Sequence, residues 1–307
     1  VSHRIQVENR HVEISHPARL LFPQDNITKQ DLAEYYARIG ETMLPYLQGR
    51  PLTLQRFPNG IDAPGFYQKE VGPPGRDHLP DWVSRVAVEV KGQGNRQYQL
   101  VCNNVATLVY LVDWACITPH IWLSRTDRLN YPDKLIFDLD PPDSDFAPAR
   151  FAARALRALL QDIGMISFVM TSGSRGLHVV VPLDRSADFD ASRAFAQAVA
   201  RQLADRYPDR LTTEIRESER HGRLFLDYLR NAYAQNSVAP YAVRAKPGAP
   251  VATPIDWDEL EDETLHAQTY RMGNILQRME HQSDPWERLF EQTHAVSSVQ
   301  EAAGLSQ

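Results

Sequence analysis

Cysteine is nearly missing: the 307 residues contain two, Cys102 and Cys116. They are too few and too far apart for a zinc motif, and they fit a reducing cytosol. No apolar run reaches the length of a membrane span, and the N-terminus lacks the apolar stretch of a signal peptide. No internal repeat occurs. Positive charge does not predominate either, with 33 Lys and Arg against 39 Asp and Glu, a net charge of -6 and a pI near 5.9. That excludes a chain coated in positive charge but leaves room for local basic patches. The rest is ordinary for a globular protein, 43% hydrophobic and 23% charged, so disorder is not expected over most of the length. The opening "VSHRIQ" without methionine suggests excision from a longer polypeptide. The tail "HAVSSVQEAAGLSQ" lacks periodicity and reads as a frayed end or linker, with 296–307 its flexible part.

Local patterns supply the elements. "NITKQDLAEYYARIGETML" is an amphipathic helix: Leu32, Tyr35, Tyr36 and Ile39 share a face, and Thr28 with Asp31 forms a capping box. "PLTLQRF" and "RQYQLV" read as strands between Gly- and Pro-rich loops, whereas periodicity leaves "NNVATLVYLVDWACI" open between buried helix and mixed segment. From residue 134 the order is strand, helix ("APARFAARALRALLQDIG"), hairpin ("ISFVMT" and "LHVVVPL"), helix ("DASRAFAQAVARQLADRY"), then strands at "RLFLDYL" and "YAVRA". This predicts an α+β fold with a mostly antiparallel sheet flanked by helices. The region from "PIDWDEL" onward is expected to be helical.

"KLIFDLDPPD" raises the first chemical question. In a strand, Leu135, Phe137 and Leu139 face one way while Ile136, Asp138 and Asp140 face the other. Two carboxylates then stand roughly 6–7 Å apart along the backbone and raise each other's pKa unless something compensates them. A turn-capping pair before Pro141 and Pro142 would also produce this pattern. A divalent cation answers the charge, because carboxylate oxygens are the hard ligands that Mg²⁺ and Mn²⁺ prefer. "SGSRGLHVVVPL" is the second piece. Gly173 and Gly176 allow a tight turn, Ser172 and Ser174 add hydroxyls, Arg175 adds charge, and His178 opens the next strand. The turn suits a phosphate, although it is not a Walker A loop. In "FLDYLRN", Asp227 again interrupts an apolar strand. Two acids, a phosphate turn and a third acid make a two-metal triphosphate site on paper.

The series Asp138-x-Asp140, Ser172-Gly-x-x-Gly-x-His178 and Asp227 resembles the three motifs of the archaeo-eukaryotic primase superfamily. "GRPLTLQRFPNG", "GFYQKEV", "PHIWLSR", "FDLDPPD", "SGSRGLHVVVPL", "FLDYLRNAYAQNSVAPYAVRA" and "TPIDWDEL" are similar to blocks of the polymerase domain of bacterial ATP-dependent DNA ligase D. The resemblance implies a primase-polymerase-like fold of two intimately packed modules in one domain over 1–295. DNA contacts would lie in about 1–130, catalysis in about 131–260 and helices in about 256–295. It implies that Asp138, Asp140 and Asp227 bind two catalytic metal ions, Mn²⁺ or Mg²⁺. Ser172, Arg175, His178, Arg244 and His120 would contact the nucleoside triphosphate, either NTP or dNTP. Phe66 and Tyr67 would stack on nucleotide or template bases. His16, Arg19 and Lys29 would recognise a DNA 5′-phosphate, with N–H groups at the helix start adding to Lys29.

The implied activity is nucleotidyl transfer that fills gaps and extends 3′ ends at double-strand breaks in nonhomologous end joining, with a preference for ribonucleotides. The implied partners are gapped or broken DNA, Ku, and ligase and phosphoesterase domains of the same polypeptide, in the bacterial cytoplasm. A freestanding primase-polymerase, a non-catalytic end-bridging module and a DxD glycosyltransferase are the rival readings.

Overall fold

The computed structural model describes residues 2–76, 78–90, 92 and 94–297. The chain divides into two compact units, each assembled from separate stretches. One comprises 1–129, 236–251 and 271–280; the other comprises 130–235, 252–270 and the stretch from 281.

In the first unit the expected helix runs over Lys29–Leu47, with both halves of the Thr28–Asp31 capping box formed. It continues past the expected end through Pro45, which in a last turn forfeits a single hydrogen bond. Leu32, Tyr35, Tyr36, Ile39 and Met43 are buried, as the 3.6-residue period requires. The ambiguous "NNVATLVYLVDWACI" is mixed. Asn104 caps a helix over Val105–Asp113, and the strand Cys116–Trp122 follows. That strand pairs antiparallel with both Leu52–Arg56 and Asn236–Val238, and Phe66–Gln68 completes the four-stranded sheet.

In the second unit a four-stranded antiparallel sheet has the spatial order Lys134–Leu139, Leu177–Pro182, Phe168–Thr171, Thr253–Ile255. Strand alternation sends Leu135, Phe137 and Leu139 into the same core as Leu177, Val179 and Val181. Helices Ala147–Asp162 and Phe189–Arg206 cover that face with Ala149, Leu156, Phe195 and Val199. The opposite face carries Asp138 and His178.

Three expectations are corrected. "RLFLDYL" is a strand only at Leu224–Phe225, where it pairs parallel with Leu211–Thr212. It ends there because the Asp227 carboxylate accepts the Leu229 N–H at 2.8 Å and turns the chain. "YAVRA" joins no sheet and makes one bridge, Val243 to Val251. The region from "PIDWDEL" is a strand, a 3₁₀ turn at Trp257–Glu261 and a short helix at Ile275–His281. Arg150 donates to the carbonyls of Leu260, Asp262 and Leu265, which a continued helix would have used internally. The tail expected from 296 lies outside the described residues from 298 on. Val296 itself is buried in the core of the second unit.

Candidate active site

Sheet register places the acidic residues side by side. Asp138 lies opposite His178 on the neighbouring strand. On its other side it is bridged to Asp227, each backbone N–H donating to the other's carbonyl, at 2.9 and 3.2 Å. Asp227, Asp138 and His178 therefore form one row across the sheet, with Asp140 two residues further along the same face. Asp140 sits beside Gly176, and the glycine is obligatory there. A Cβ on residue 176 would lie 2.0 Å from the Leu139 carbonyl oxygen and 2.9 Å from the Asp140 Cα.

The row has a support that sequence reasoning missed. Asn231, 1% exposed, accepts the Ile136 N–H at 2.9 Å and donates through Nδ2 to the Ile136 carbonyl at 2.7 Å. Its amide thus acts as a one-residue strand, extending the ladder two residues beyond the Asp138–Asp227 bridge. Asn231 stands in the quoted block "FLDYLRNAYAQ", four residues after Asp227. Its partner, Ile136, is 95 residues away, so no local spacing signalled this role.

Electrostatics favour a cation. Burial, then the charge of Asp138, raise the Asp140 pKa above the ordinary carboxylate value, although Arg175 works against the shift. Asp227 is raised for the same leading reason, burial, with Asp138 again contributing and the Leu229 N–H opposing. The charges already answering these acids are Arg175, 3.1 Å from Asp140 Oδ2, and Arg230 and Arg220, which act on Asp227; His178 Nε2 lies 3.4 Å from Asp138 Oδ1. Among the described residues no three His, Cys, Asp or Glu side chains are already drawn into a metal cage. The donor set nonetheless fits a hard divalent ion: three carboxylates on one face, two of them costly to ionise without added positive charge. A cavity of about 470 Å³ opens over them, lined also by Arg175, Arg220 and Arg230.

The anion turn differs from expectation in one respect. Its Ser174 and Gly176 N–H groups point inward, both donating to Ser172 Oγ at 3.2 and 3.1 Å, instead of outward to a ligand. These two bonds occupy both acceptor positions of the hydroxyl. His178 is buried, and its Nδ1 has no hydrogen-bond partner among the described residues.

Asp138, Asp140, Ser172, Arg175, His178 and Asp227 all belong to the second unit; the other expected site residues belong to the first. There Phe66 and Tyr67 are exposed, at 46% and 59%, on the edge strand of the sheet. Arg56 lies over the Phe66 ring, and Tyr67 meets the His120 ring edge-on at 5.6 Å. Arg244 is half-buried, its N–H bonded to the Pro250 carbonyl.

At the proposed 5′-phosphate stretch His16 and Arg19 are exposed, but Lys29 is 4% exposed. Its ammonium donates to Asp113 Oδ1 at 2.7 Å, the Ser15 carbonyl at 2.9 Å and Ser15 Oγ at 3.2 Å. Burial opposes the charge of Asp113, yet hydrogen bonds from Lys29 and Ser15 prevail and hold its carboxyl below the ordinary range. The exposed N–H groups expected at this helix start are absent. Lys29 N donates to Arg19 O, Gln30 N to Pro17 O and Asp31 N to Thr28 Oγ1. Cys102 and Cys116 are both buried, which pushes their thiols up to about 12 and disfavours the reactive thiolate.

Comparison with known proteins identifies the family. The family described as LigD, primase-polymerase domain, matches residues 28–286. The multifunctional nonhomologous end joining DNA repair protein LigD of Mycobacterium tuberculosis is 33% identical over 287 residues, covering 91% of this chain and 37% of that protein. LigD of Pseudomonas aeruginosa is 34% identical over 278 residues, covering 90% of this chain and 32% of the relative. The chain thus spans about a third of the length of these relatives. The solved polymerase domain of Mycobacterium tuberculosis ligase D in complex with DNA superposes with a TM-score of 0.84 at 30% identity, covering 94% of this chain and 100% of that one. The mixed α+β fold with antiparallel sheets is therefore that of a LigD polymerase domain. The chain belongs to the LigD primase-polymerase domain family, nucleotidyltransferases of the DNA polymerase kind whose reaction is metal-dependent.

Proposed function

We propose that the second unit joins a nucleoside triphosphate to the 3′ hydroxyl of DNA at gaps and double-strand ends, using Asp138, Asp140 and Asp227 as ligands for two divalent ions, Mn²⁺ by preference. The observation carrying this reading is the row Asp227, Asp138, His178 with Asp140 two residues further along, which gathers three hard carboxylates beside the Ser172–Gly176 turn. When bound, the cations supply the positive charge that makes the primer hydroxyl easier to deprotonate and offsets charge building on pyrophosphate. Asp138 and Asp227 fix the inner ligands through their shared backbone bridge. Asp140 faces the triphosphate beside Arg175. Ser172 and His178 would contact phosphate oxygens, and the Arg175 guanidinium would balance their charge. Arg244 and His120 are the further nucleotide contacts that the family resemblance implies.

Phe66 and Tyr67, rigid and exposed, suit base stacking without sequence preference. His16 and Arg19 would take the 5′-phosphate, with Lys29 fixing the Ser15 backbone beneath them. Residues 1–295 would act as one primase-polymerase domain, serving nonhomologous end joining in the bacterial nucleoid alongside Ku, ligase and phosphoesterase partners, and favouring ribonucleotides. The Mycobacterium tuberculosis domain solved with DNA supports DNA as the partner class.

The test is gap filling with and without a 5′-phosphate, comparing ribo- and deoxyribonucleotides with Mn²⁺ and Mg²⁺. Asp138→Ala and Asp227→Ala are expected to abolish extension while DNA-end binding persists. Robust extension by either variant removes the metal assignment.

A further inference from the structure

Arg175 stands between two cavities. It lines the acid-bearing cavity of about 470 Å³ and also a neighbouring one of about 420 Å³, formed with Ser174, Phe146, His266 and Gln268. Its guanidinium reaches Asp140 at 3.1 Å, while the side chain remains 60% exposed. It springs from the turn that holds Ser172, so the same cation lies within reach of a carboxylate and of any phosphate seated on that turn. Ser174 is anchored separately, its carbonyl accepting Gln268 Nε2 at 2.8 Å. The guanidinium can therefore change partner while the turn stays fixed.

A guanidinium cannot serve both partners fully. A divalent ion entering at Asp140 competes with Arg175 for the carboxylate, and a triphosphate competes with Asp140 for Arg175. Each ligand breaks the same ion pair, so whichever arrives first spares the second that cost. We propose that Arg175 couples nucleotide binding to metal binding by trading Asp140 for phosphate. This rests on the nucleotidyltransferase reading above and adds order to it: metal affinity rises when nucleotide is present and, by linkage, nucleotide affinity rises equally with metal.

The test titrates Mn²⁺ into the protein, following free Mn²⁺ by its electron paramagnetic resonance signal. Titrations are run with and without a non-hydrolysable α,β-methylene ribonucleoside triphosphate, after subtracting the nucleotide's own Mn²⁺ complex. Arg175→Gln should tighten Mn²⁺ binding alone by about two- to five-fold, the range an exposed ion pair supplies, and cut the nucleotide-induced tightening by a similar factor. Arg220→Gln removes a positive charge from the same cavity without a bond to Asp140, and should leave the nucleotide-induced tightening at its wild-type ratio. An unchanged ratio in Arg175→Gln, or an equal fall in both variants, overturns the coupling. Wild-type protein that binds no Mn²⁺ even with nucleotide at millimolar concentration would instead sink the nucleotidyltransferase reading itself.

Discussion

Replacing Asn231 with alanine would leave the N–H and carbonyl of Ile136 without the amide that now satisfies both. Ile136 is 3% exposed, so water cannot readily take over. Each stranded backbone group costs about 1–3 kcal/mol, and some local relaxation follows, so the expected loss is about 2–4 kcal/mol. For a domain of this size that corresponds to a fall of roughly 3–6 °C in melting temperature. Asn231→Leu sharpens the comparison. It keeps the branched outline but removes the same hydrogen bonds, so it should lose at least as much. Urea unfolding followed by circular dichroism measures the stability term. A second readout separates positioning from bulk stability: below the melting transition, primer extension should still fall about ten-fold or more, because the Asp138–Asp227 bridge lies two residues from the lost support. A stability loss under about 1 kcal/mol with unchanged extension would refute the reasoning.

Gly176→Ala should cost at least about 3 kcal/mol, since its Cβ meets backbone that cannot step aside, and should displace Asp140 enough to cut extension about 100-fold; melting and extension assays check both. Asp227→Asn should raise the melting temperature at neutral pH in EDTA. The Asp227 pKa is raised by burial and by Asp138, so its share of stability is present at low pH and is lost as pH rises through the shifted value. The advantage of the asparagine should therefore vanish below the ordinary carboxylate range, and a melting series from acid to neutral pH reads it. Asp113→Ala abandons the buried Lys29 ammonium and should cost about 3 kcal/mol. Preference for 5′-phosphorylated gaps should weaken with it as Ser15 loosens, and denaturation together with paired gap-filling assays would show whether it does.

Much of this was legible before any coordinates, for a physical reason. Alternation in "KLIFDLD" and helical spacing in "LAEYYARI" are local codes, and both produced the predicted faces. The strand at "RLFLDYL" was over-extended because apolar alternation does not register an Asx turn: only the Asp227 carboxylate reaching the Leu229 N–H ends the ladder. The C-terminal helix failed because Arg150, more than a hundred residues away in sequence, claims its carbonyls. Asn231 went unnamed because its amide acts on Ile136, a contact no nearby spacing encodes. The helix start at Lys29 shows the opposite error. The sequence rule for anion-binding helix ends was sound, but the preceding turn supplied Arg19 and Pro17 carbonyls that consume those donors.

The way the chain passes back and forth between its two units constrains how the protein can be cut and made. The acid-bearing half draws on three separated stretches, so no contiguous fragment consists of it alone. A gene truncated after 235 would omit Thr253–Ile255, an outer member of the sheet. It would also omit Trp286, which is buried and whose indole N–H closes on the Val169 carbonyl at 2.9 Å. Deletion mapping in search of a minimal catalytic piece should consequently yield insoluble halves. On the ribosome the aspartates would be synthesised well before their scaffold could close, since these distant loops are joined only after translation has passed Trp286.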